Sequence, residues 1–353
     1  MSVASRAVGL CAVATGAVAS AISGILSSPR IFLATWREGK NWGDDYLAQS
    51  LTRYLTAREV PFKLIETGLS LDHNYPTARD IVLVGGGGLW GPSGSGRLDH
   101  LLYSTWVSTK ATLIVANIGI ESFHPSSAAQ LSHLASRSSL LSFRDELSYT
   151  LARVVLPEDV CMWAADNTYL APLKIDRLPE PGCIAVNLCG PEQENHVRPY
   201  SVSRIIKSIL QLKGLGYEIR GVVFTYGGPL TDYQHCVQID ASCSKDFSVI
   251  PFRECEVFIG MHFHSCLLAM QNEIPVVGIS YSDKVRRLFA EYGLSMYCID
   301  PEDPDLPRRI SSLVASARDQ RERLIGQIRA GNSRALDRLA PFSTKLSKLL
   351  HVR

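Results

Sequence analysis

The sequence lacks an excess of charge of either sign. Its 36 lysine and arginine residues nearly balance its 34 aspartate and glutamate residues, and the formal net charge is +2. No basic run with interleaved aromatic residues occurs along the chain. Because nucleic acid is usually bound by a basic surface, this composition excludes a general electrostatic affinity for it. Any anionic ligand must therefore be met by a local group of residues.

The sequence also lacks paired cysteines. Its nine cysteines are scattered singly with no C-x-x-C spacing, and several lie in apolar runs that are typical of strands. This distribution is typical of reduced thiols in the core of a cytoplasmic protein, and it forms no metal-binding pattern. We therefore expect a cytoplasmic protein.

The first 28 residues need a separate interpretation, because residues 7–26 carry no charge. A secretory signal peptide fits Arg6 and the Val-Ala-Ser-Ala run at 18–21. The length of the stretch would suit a membrane-spanning helix, although its many small and hydroxyl residues would make insertion into the membrane weak. A surface helix fits the apolar face that begins with Leu10 and Val13. We favour a dispensable extension, residues 1–28, in peripheral contact with the inner face of the membrane.

Short apolar runs alternate with helix-like segments through most of the chain, and several runs end in polar residues. This alternation is typical of parallel sheets covered by helices. A proline-rich stretch at 172–182 separates two such halves. We predict an α/β protein with two doubly wound, Rossmann-like domains facing a cleft, at 29–178 and 179–303, followed by a helical segment at 304–353.

A glycine-rich stretch follows the predicted strand Asp80 to Val84. Glycines occupy positions 85–88 and Trp90 follows them. The dinucleotide fingerprint would need glycine where Trp90 stands, and no Gly-Lys-Ser/Thr follows for a phosphate loop. Glycines still expose backbone N–H groups and allow a ligand to approach the main chain. We predict a binding loop that includes Gly86 and Gly87.

Polar residues also follow the first predicted strand, Ile31 to Thr35. The loop after it contains Asn41 and Gly43, and a helix is predicted from about Tyr46. Asp44 or its neighbour at position 45 would cap that helix. Loops after strands of an α/β sheet lie on its ligand-binding side, which makes this loop a candidate for a site.

The stretch from Cys255 to Tyr281 contains two histidines at a predicted strand end. A strand over 257–259 and a glycine precede His262 and His264, and an apolar helix and a second strand follow. A single buried histidine is more often a satisfied core residue. Two at a helix start would instead face an anion. A metal site is a weaker interpretation of the two histidines, because no carboxylate or thiolate stands at a spacing that would complete a site with the His-x-His pair.

These features together resemble the polysaccharide pyruvyl transferase family over roughly residues 41–294. That family moves the enolpyruvyl unit of phosphoenolpyruvate onto a sugar to leave a pyruvate ketal, and it is similar to two-domain glycosyltransferases of the GT-B kind. The matching segments are Asn41-Trp42-Gly43-Asp44, the glycines at 85–88, Phe143-Arg144-Asp145-Glu146-Leu147-Ser148, Asp166 and its neighbours, Ile259 to Ser265, and Pro275 to Tyr281 with Lys284.

One position departs from the family pattern, which is Gly-x-Arg-Leu-His-Ser. His264 falls on the family's histidine, whereas His262 falls on its arginine. An arginine binds phosphate or carboxylate at every relevant pH, while a histidine does so only when protonated. The resemblance therefore implies a donor contact at His262 whose strength depends on pH.

The resemblance implies a set of roles for an enzyme that uses phosphoenolpyruvate and a sugar acceptor, an oligosaccharide or a lipid-linked glycan. His264 would be the general acid that protonates the methylene carbon, and Asp44 or Asp166 would accept a proton from the acceptor hydroxyl. No step needs a metal or a cofactor. The substrate-binding candidates are Asn41, Gly43, Gly86, Gly87, Arg144, His262, Ser265, Tyr281 and Lys284.

Two alternatives remain open on the sequence. A nucleotide-sugar glycosyltransferase has the same two-domain layout and the same need to bind an anion. A catalytically inactive, carbohydrate-binding relative would explain the replacement at His262. Donor choice separates the first alternative from a pyruvyl transferase, and loss of turnover identifies the second.

Overall fold

The structure is a computed structural model, and it describes residues 29–35, 41–66, 76–90, 110–120, 127–190, 200–226 and 232–351. The apolar extension predicted at residues 1–28 lies outside the described residues. Within the described ranges, no helix is long and apolar enough to cross a membrane.

The N-terminal half forms a six-stranded parallel sheet with the strand order β2-β1-β3-β4-β5-β6. Among the described residues of this half, three helices accompany the sheet: α1 (Trp42–Thr56), α2 (Ser127–Arg137) and α3 (Glu146–Arg153). Successive residues of β1 point to opposite faces of the sheet, as the pleat requires, so that Leu33 and Phe32 join two different cores. The strands are β1 (Ile31–Thr35), β2 (Phe62–Glu66), β3 (Ile81–Trp90), β4 (Thr112–Ile120), β5 (Ser138–Phe143) and β6 (Met162–Trp163).

The second half forms a five-stranded parallel sheet with the strand order β11-β10-β9-β7-β8. Its strands are β7 (Cys183–Asn187), β8 (Glu218–Val222), β9 (Val257–Gly260), β10 (Val276–Ile279) and β11 (Cys298–Ile299). Its helices are α4 (Val202–Gly214), α5 (Tyr233–Ile239), α6 (Ile250–Glu254), α7 (Phe263–Gln271), α8 (Asp283–Glu291) and α9 (Leu306–Asp319). The predicted fold class, two Rossmann-like domains of the GT-B kind, is confirmed; the domain boundaries stay predictions.

A long final helix, α10 (Arg321–His351), connects the second sheet back to the first. Asn332 accepts a hydrogen bond from Tyr169 at 2.9 Å and another from Tyr292 at 2.8 Å. Further along the helix, the hydroxyl of Ser343 lies 3.1 Å from that of Tyr54 in α1. The helical segment predicted after residue 304 therefore also packs against the N-terminal domain.

The structure corrects two sequence predictions near the first sheet. The glycines at 85–88 do not form a loop, because β3 continues through them to Trp90 and pairs in parallel with β4. The register shifts after Gly87, whose φ of +98° favours glycine. Helix α1 begins at Trp42 rather than near residue 46, and Asn41 caps it instead of an aspartate. Strand β2 was not predicted.

Candidate active site

The carboxyl ends of the two sheets meet around Asp166. This aspartate follows β6, Arg144 follows β5, and His264 lies in the first turn of α7 after β9. The Nε2 atom of His264 is 3.4 Å from the Asp166 carboxylate, and Nη1 of Arg144 is 3.6 Å from the same oxygen. A histidine of one domain and an arginine of the other thus share one carboxylate.

The surroundings of Asp166 keep it ionised. Burial alone would raise its pKa, but the adjacent His264, the Arg144 guanidinium and the backbone N–H of Thr168 together lower the pKa to about 2. Such a carboxylate is a weak base near neutral pH. The position of the carboxylate suits a different task, which is to orient the imidazole of His264 by accepting a hydrogen bond from its Nε2–H group.

Gly43 makes room for the other side of the His264 ring. A Cβ atom added to Gly43 would lie 2.5 Å from Nδ1 of His264. The glycine is held in place because its N–H donates to the Asn41 side chain at 2.7 Å, while that side chain donates to Thr225 of the second domain at 3.3 Å. These hydrogen bonds attach the N-terminal end of α1 to the C-terminal domain beside His264.

We expect Gly43→Ala to lower turnover by about 10²-fold, because a methyl group would displace the imidazole from its present position. The unfolding midpoint should change little. Gly214→Ala is the matched control, since a Cβ atom at Gly214 meets nothing within 4 Å. Equal activity of the two variants would show that the position of the ring is unimportant.

The glycine-rich part of β3 lies beside the N-terminal end of α1, and its glycines differ in their surroundings. At Gly86 a Cβ atom would meet the Asn167 amide at 2.6 Å, so the position is filled by a buried network in which Asn117 donates to Asn167 at 2.7 Å. At Gly87 a Cβ atom would lie 3.6 Å from the half-buried Asp44. Of the two predicted loop residues, Gly87 is therefore the one adjacent to a candidate catalytic group.

His262 is placed inside the second domain. It is 5% exposed, and its Nε2 atom lies 3.1 Å from both carboxylate oxygens of the fully buried Asp232. Burial lowers the pKa of His262, but Asp232 and then Cys189 raise it more, so the pKa is well above its usual value. The charge of the imidazolium is therefore matched within the protein rather than directed at a ligand.

Two other predicted binding residues also have internal partners. Ser265 is buried, and its one hydroxyl proton lies between two acceptors, the carbonyl oxygen of His262 at 2.8 Å and the side-chain oxygen of Asn187 at 3.0 Å. Tyr281 is 3% exposed, and its ring meets that of His262 edge-on at 6.3 Å. Ser265 and Tyr281 therefore stabilise the conformation of the segment around His262.

Lys284 and Arg144 line a narrow crevice between the two domains, beside Asp166 and Phe263. The Arg144 side chain is 4% exposed and lies over the ring of Phe263, with 4.4 Å from its guanidinium carbon to the ring centroid. Its Nε atom is buried without a hydrogen-bond partner in the described residues, and the nearest carboxylate oxygen of Asp145 is 3.6 Å away. A buried donor of this kind suits an anionic ligand.

Sequence reasoning missed three charged residues of this region. Asp232 fits no motif. Because it immediately precedes α5, it resembles an ordinary helix cap in the sequence. Arg287 and Arg338 lie on helices with an exposed charged face, and both line the crevice. Only the three-dimensional packing of α8 and α10 brings these arginines to the site. No group of three His, Cys, Asp or Glu residues within the described ranges could hold a metal ion.

Comparisons with known proteins concern the family and the fold. A family model described as polysaccharide pyruvyl transferase matches residues 251–283. This segment contains both histidines, and the match supports the resemblance seen in the sequence. It also supports a transferase of polysaccharide biosynthesis. No curated protein matches the chain in sequence.

Similar solved structures show the fold. A complex of S. aureus MnaA with UDP is 10% identical, with 85% of this chain and 90% of that chain covered and a TM-score of 0.57. A UDP-N-acetylglucosamine 2-epimerase from Listeria monocytogenes, so assigned by its description, is 8% identical over 86% and 91%, with a TM-score of 0.55.

Proposed function

We propose that the protein is a ketal-forming pyruvyl transferase, which moves the enolpyruvyl group of phosphoenolpyruvate onto a sugar of a polysaccharide or its lipid-linked precursor in the cytoplasm. The observation that carries the proposal is the shared carboxylate of Asp166, which brings an acid–base imidazole and a buried guanidinium together. That combination is what protonation of an anionic enol phosphate requires.

Arg144 and Lys284 would bind the donor's anionic groups. Phosphoenolpyruvate carries a phosphate and a carboxylate, and arginine binds either group through two parallel hydrogen bonds. The buried Nε atom of Arg144 without a partner in the described residues supports this role. The water-poor surroundings of its guanidinium strengthen its attraction for an anion.

His264 would be the general acid. With Nε2 donating to Asp166, the Nδ1 atom beside Gly43 is the one that exchanges a proton with the substrate. Transfer of that proton to the methylene carbon makes the central carbon electrophilic, and a sugar hydroxyl then attacks it. Asp44, which lies near Gly87, would accept the proton of the attacking hydroxyl.

The complete reaction uses two hydroxyl groups of one sugar. Both oxygens form bonds to the central carbon, and the bond from that carbon to the phosphate oxygen breaks. One of the two hydroxyl protons is recovered in the new methyl group and the other leaves with phosphate. No electron is gained or lost, so the residues need to supply only proton transfer and anion binding.

The test is to incubate the purified protein with phosphoenolpyruvate and candidate oligosaccharides or lipid-linked glycans, and to measure phosphate release and the new methyl signal in the product. We expect release only when donor and acceptor are both present. Nucleotide release from sugar nucleotides, with no phosphate from phosphoenolpyruvate, would refute the proposal.

The second candidate, a nucleotide-sugar glycosyltransferase, would need a nucleotide site, and a cavity of about 380 Å³ lies at the carboxyl ends of β10 and β11. The similar MnaA structure contains UDP, which makes a nucleotide site worth considering. The charge of the cavity opposes a diphosphate, however, because four carboxylates face a single arginine. These residues are Asp283, Asp300, Glu302, Asp303 and Arg286. Carboxylates instead accept hydrogen bonds from sugar hydroxyls.

A further inference from the structure

The final helix contributes an arginine to the crevice that contains Arg144. Arg338 lines the same crevice, although it lies far outside the segment that matches the family model. Its guanidinium carbon is 4.7 Å from the centroid of the Trp163 ring, which holds the side chain against the first domain. Like Arg144, Arg338 has a buried Nε atom without a hydrogen-bond partner in the described part of the chain.

The ion pairs in the crevice are long. Arg144 lies 3.6 Å from Asp166, Arg287 lies 3.5 Å from Asp145, and the third pair, from Nη2 of Arg338 to Glu291, spans 3.4 Å. Charge-assisted hydrogen bonds of full strength are about 2.7–2.9 Å long. The guanidinium groups therefore keep part of their capacity to donate.

Glu291 is a weak competitor for Arg338. Burial raises its pKa to about 7; Arg338 opposes that rise and Asp145 adds to it. A fraction of Glu291 is therefore neutral near neutral pH. An incoming oxyanion that keeps its full charge is a better partner for the guanidinium than this carboxyl group.

The free space in the crevice is about 20 Å³, whereas one water molecule needs roughly 10–15 Å³. This space takes one or two oxygen atoms of an oxyanion beside the guanidinium groups, and a whole donor molecule does not fit. The rest of a bound donor would extend past Asp166, which lines the crevice and also contacts His264.

We propose that Arg338 of α10 and Arg144 together bind one oxyanion group, the phosphate or the carboxylate of the donor, in this crevice. The inference rests on the proposed function for the identity of the donor. Its physical content is independent of turnover, because a free oxyanion should bind to the same two arginines.

The test measures the affinity of the full chain for inorganic phosphate and for pyruvate by calorimetry, which distinguishes the two groups. We expect Arg338→Gln to weaken binding of one of these anions by about 10- to 100-fold. Glu291→Gln should strengthen binding of that anion, because it removes the competing carboxylate. A structural role alone would not produce effects of opposite sign at these two residues.

Arg334→Gln is the matched control. Arg334 lies one turn earlier on α10, is exposed, and donates to the carbonyl oxygen of Glu291 at 2.8 Å without lining the crevice. It should bind both anions as the wild type does. Equal anion binding by the Arg338→Gln and Arg334→Gln variants would overturn the proposal, as would binding of neither anion by the wild type.

Two further outcomes have a fixed meaning. If Arg338→Gln does not fold, Arg338→Lys retains the charge but loses the planar fork, and it should weaken binding severalfold; unchanged binding would overturn the proposal. If Arg338 governs anion binding but phosphoenolpyruvate is not consumed with any acceptor, the proposed function is wrong and the oxyanion crevice stands.

Discussion

Replacing His264 with glutamine is expected to lower turnover by about 10²–10⁴-fold while donor affinity is largely retained. Glutamine can still donate a hydrogen bond to Asp166, but it cannot deliver a proton at the position now held by Nδ1 beside Gly43. The measurement is the rate of phosphate release at saturating acceptor, with the donor concentration varied to separate kcat from KM.

His133→Gln is the matched control for this variant, since His133 is an exposed residue of α2 that does not line the crevice. Full activity of both variants would remove His264 from the mechanism. A loss confined to KM would instead make His264 a binding residue, because a group that acts only in the transition state changes kcat.

The alternation of strands and helices could be predicted because it depends on local sequence. Apolar runs such as those at 257–259 and 276–279 are long enough for one buried strand each, and the segments between them have helical spacing. The two-domain fold and the strands other than β2 and β11 followed from this pattern. Helix ends were less predictable, as Asn41 shows, because several polar residues in that loop can accept the first N–H groups.

The glycine-rich stretch at 85–88 was predicted wrongly because its conformation is decided by a distant partner. Four glycines indicate a loop from local preference alone. In the structure, β4 supplies parallel pairing at Gly85 and Gly87, and Asn167 fills the space where a Cβ atom of Gly86 would stand. A sequence pattern does not reveal a partner that lies about thirty to eighty residues away.

The candidate site was predictable only where polar residues follow strands. His264, Arg144 and Asp166 each occupy such a position, and the structure brings them into contact. Arg338 has no such signal, because it belongs to a helix whose charged residues are mostly exposed. The partner of His262 was equally hidden, since Asp232 precedes it by thirty residues and reaches it only through the packing of β8 and α5.

Asp232→Ala is expected to lower the free energy of unfolding by about 3–5 kcal/mol, because it removes the partner of a buried charge. The carboxylate accepts hydrogen bonds from the backbone N–H groups of Phe224 and Thr225 at 2.8 and 3.0 Å and from Asn187 at 3.0 Å, in addition to His262. Alanine would leave these donors buried and without an acceptor. Urea unfolding of the wild type and the variant measures the difference.

His262→Ala completes a double-mutant cycle with Asp232→Ala. The double variant should lose less stability than the sum of the two single losses, because each single change already breaks the same pair. If His262→Ala left stability unchanged and weakened only phosphoenolpyruvate binding, His262 would be an anion contact, as its alignment with the family's arginine implies.

The pH dependence of unfolding isolates the charge of this pair. The pKa of His262 is raised in the folded protein, so the pair's full stabilisation is present below the unfolded value of about 6.5 and is lost as pH rises through the folded value. Asp232→Asn keeps an acceptor oxygen but removes the charge, and it should flatten the loss that the wild type shows as pH rises above about 6.5. An equally steep loss in Asp232→Asn would assign the pH dependence to other groups.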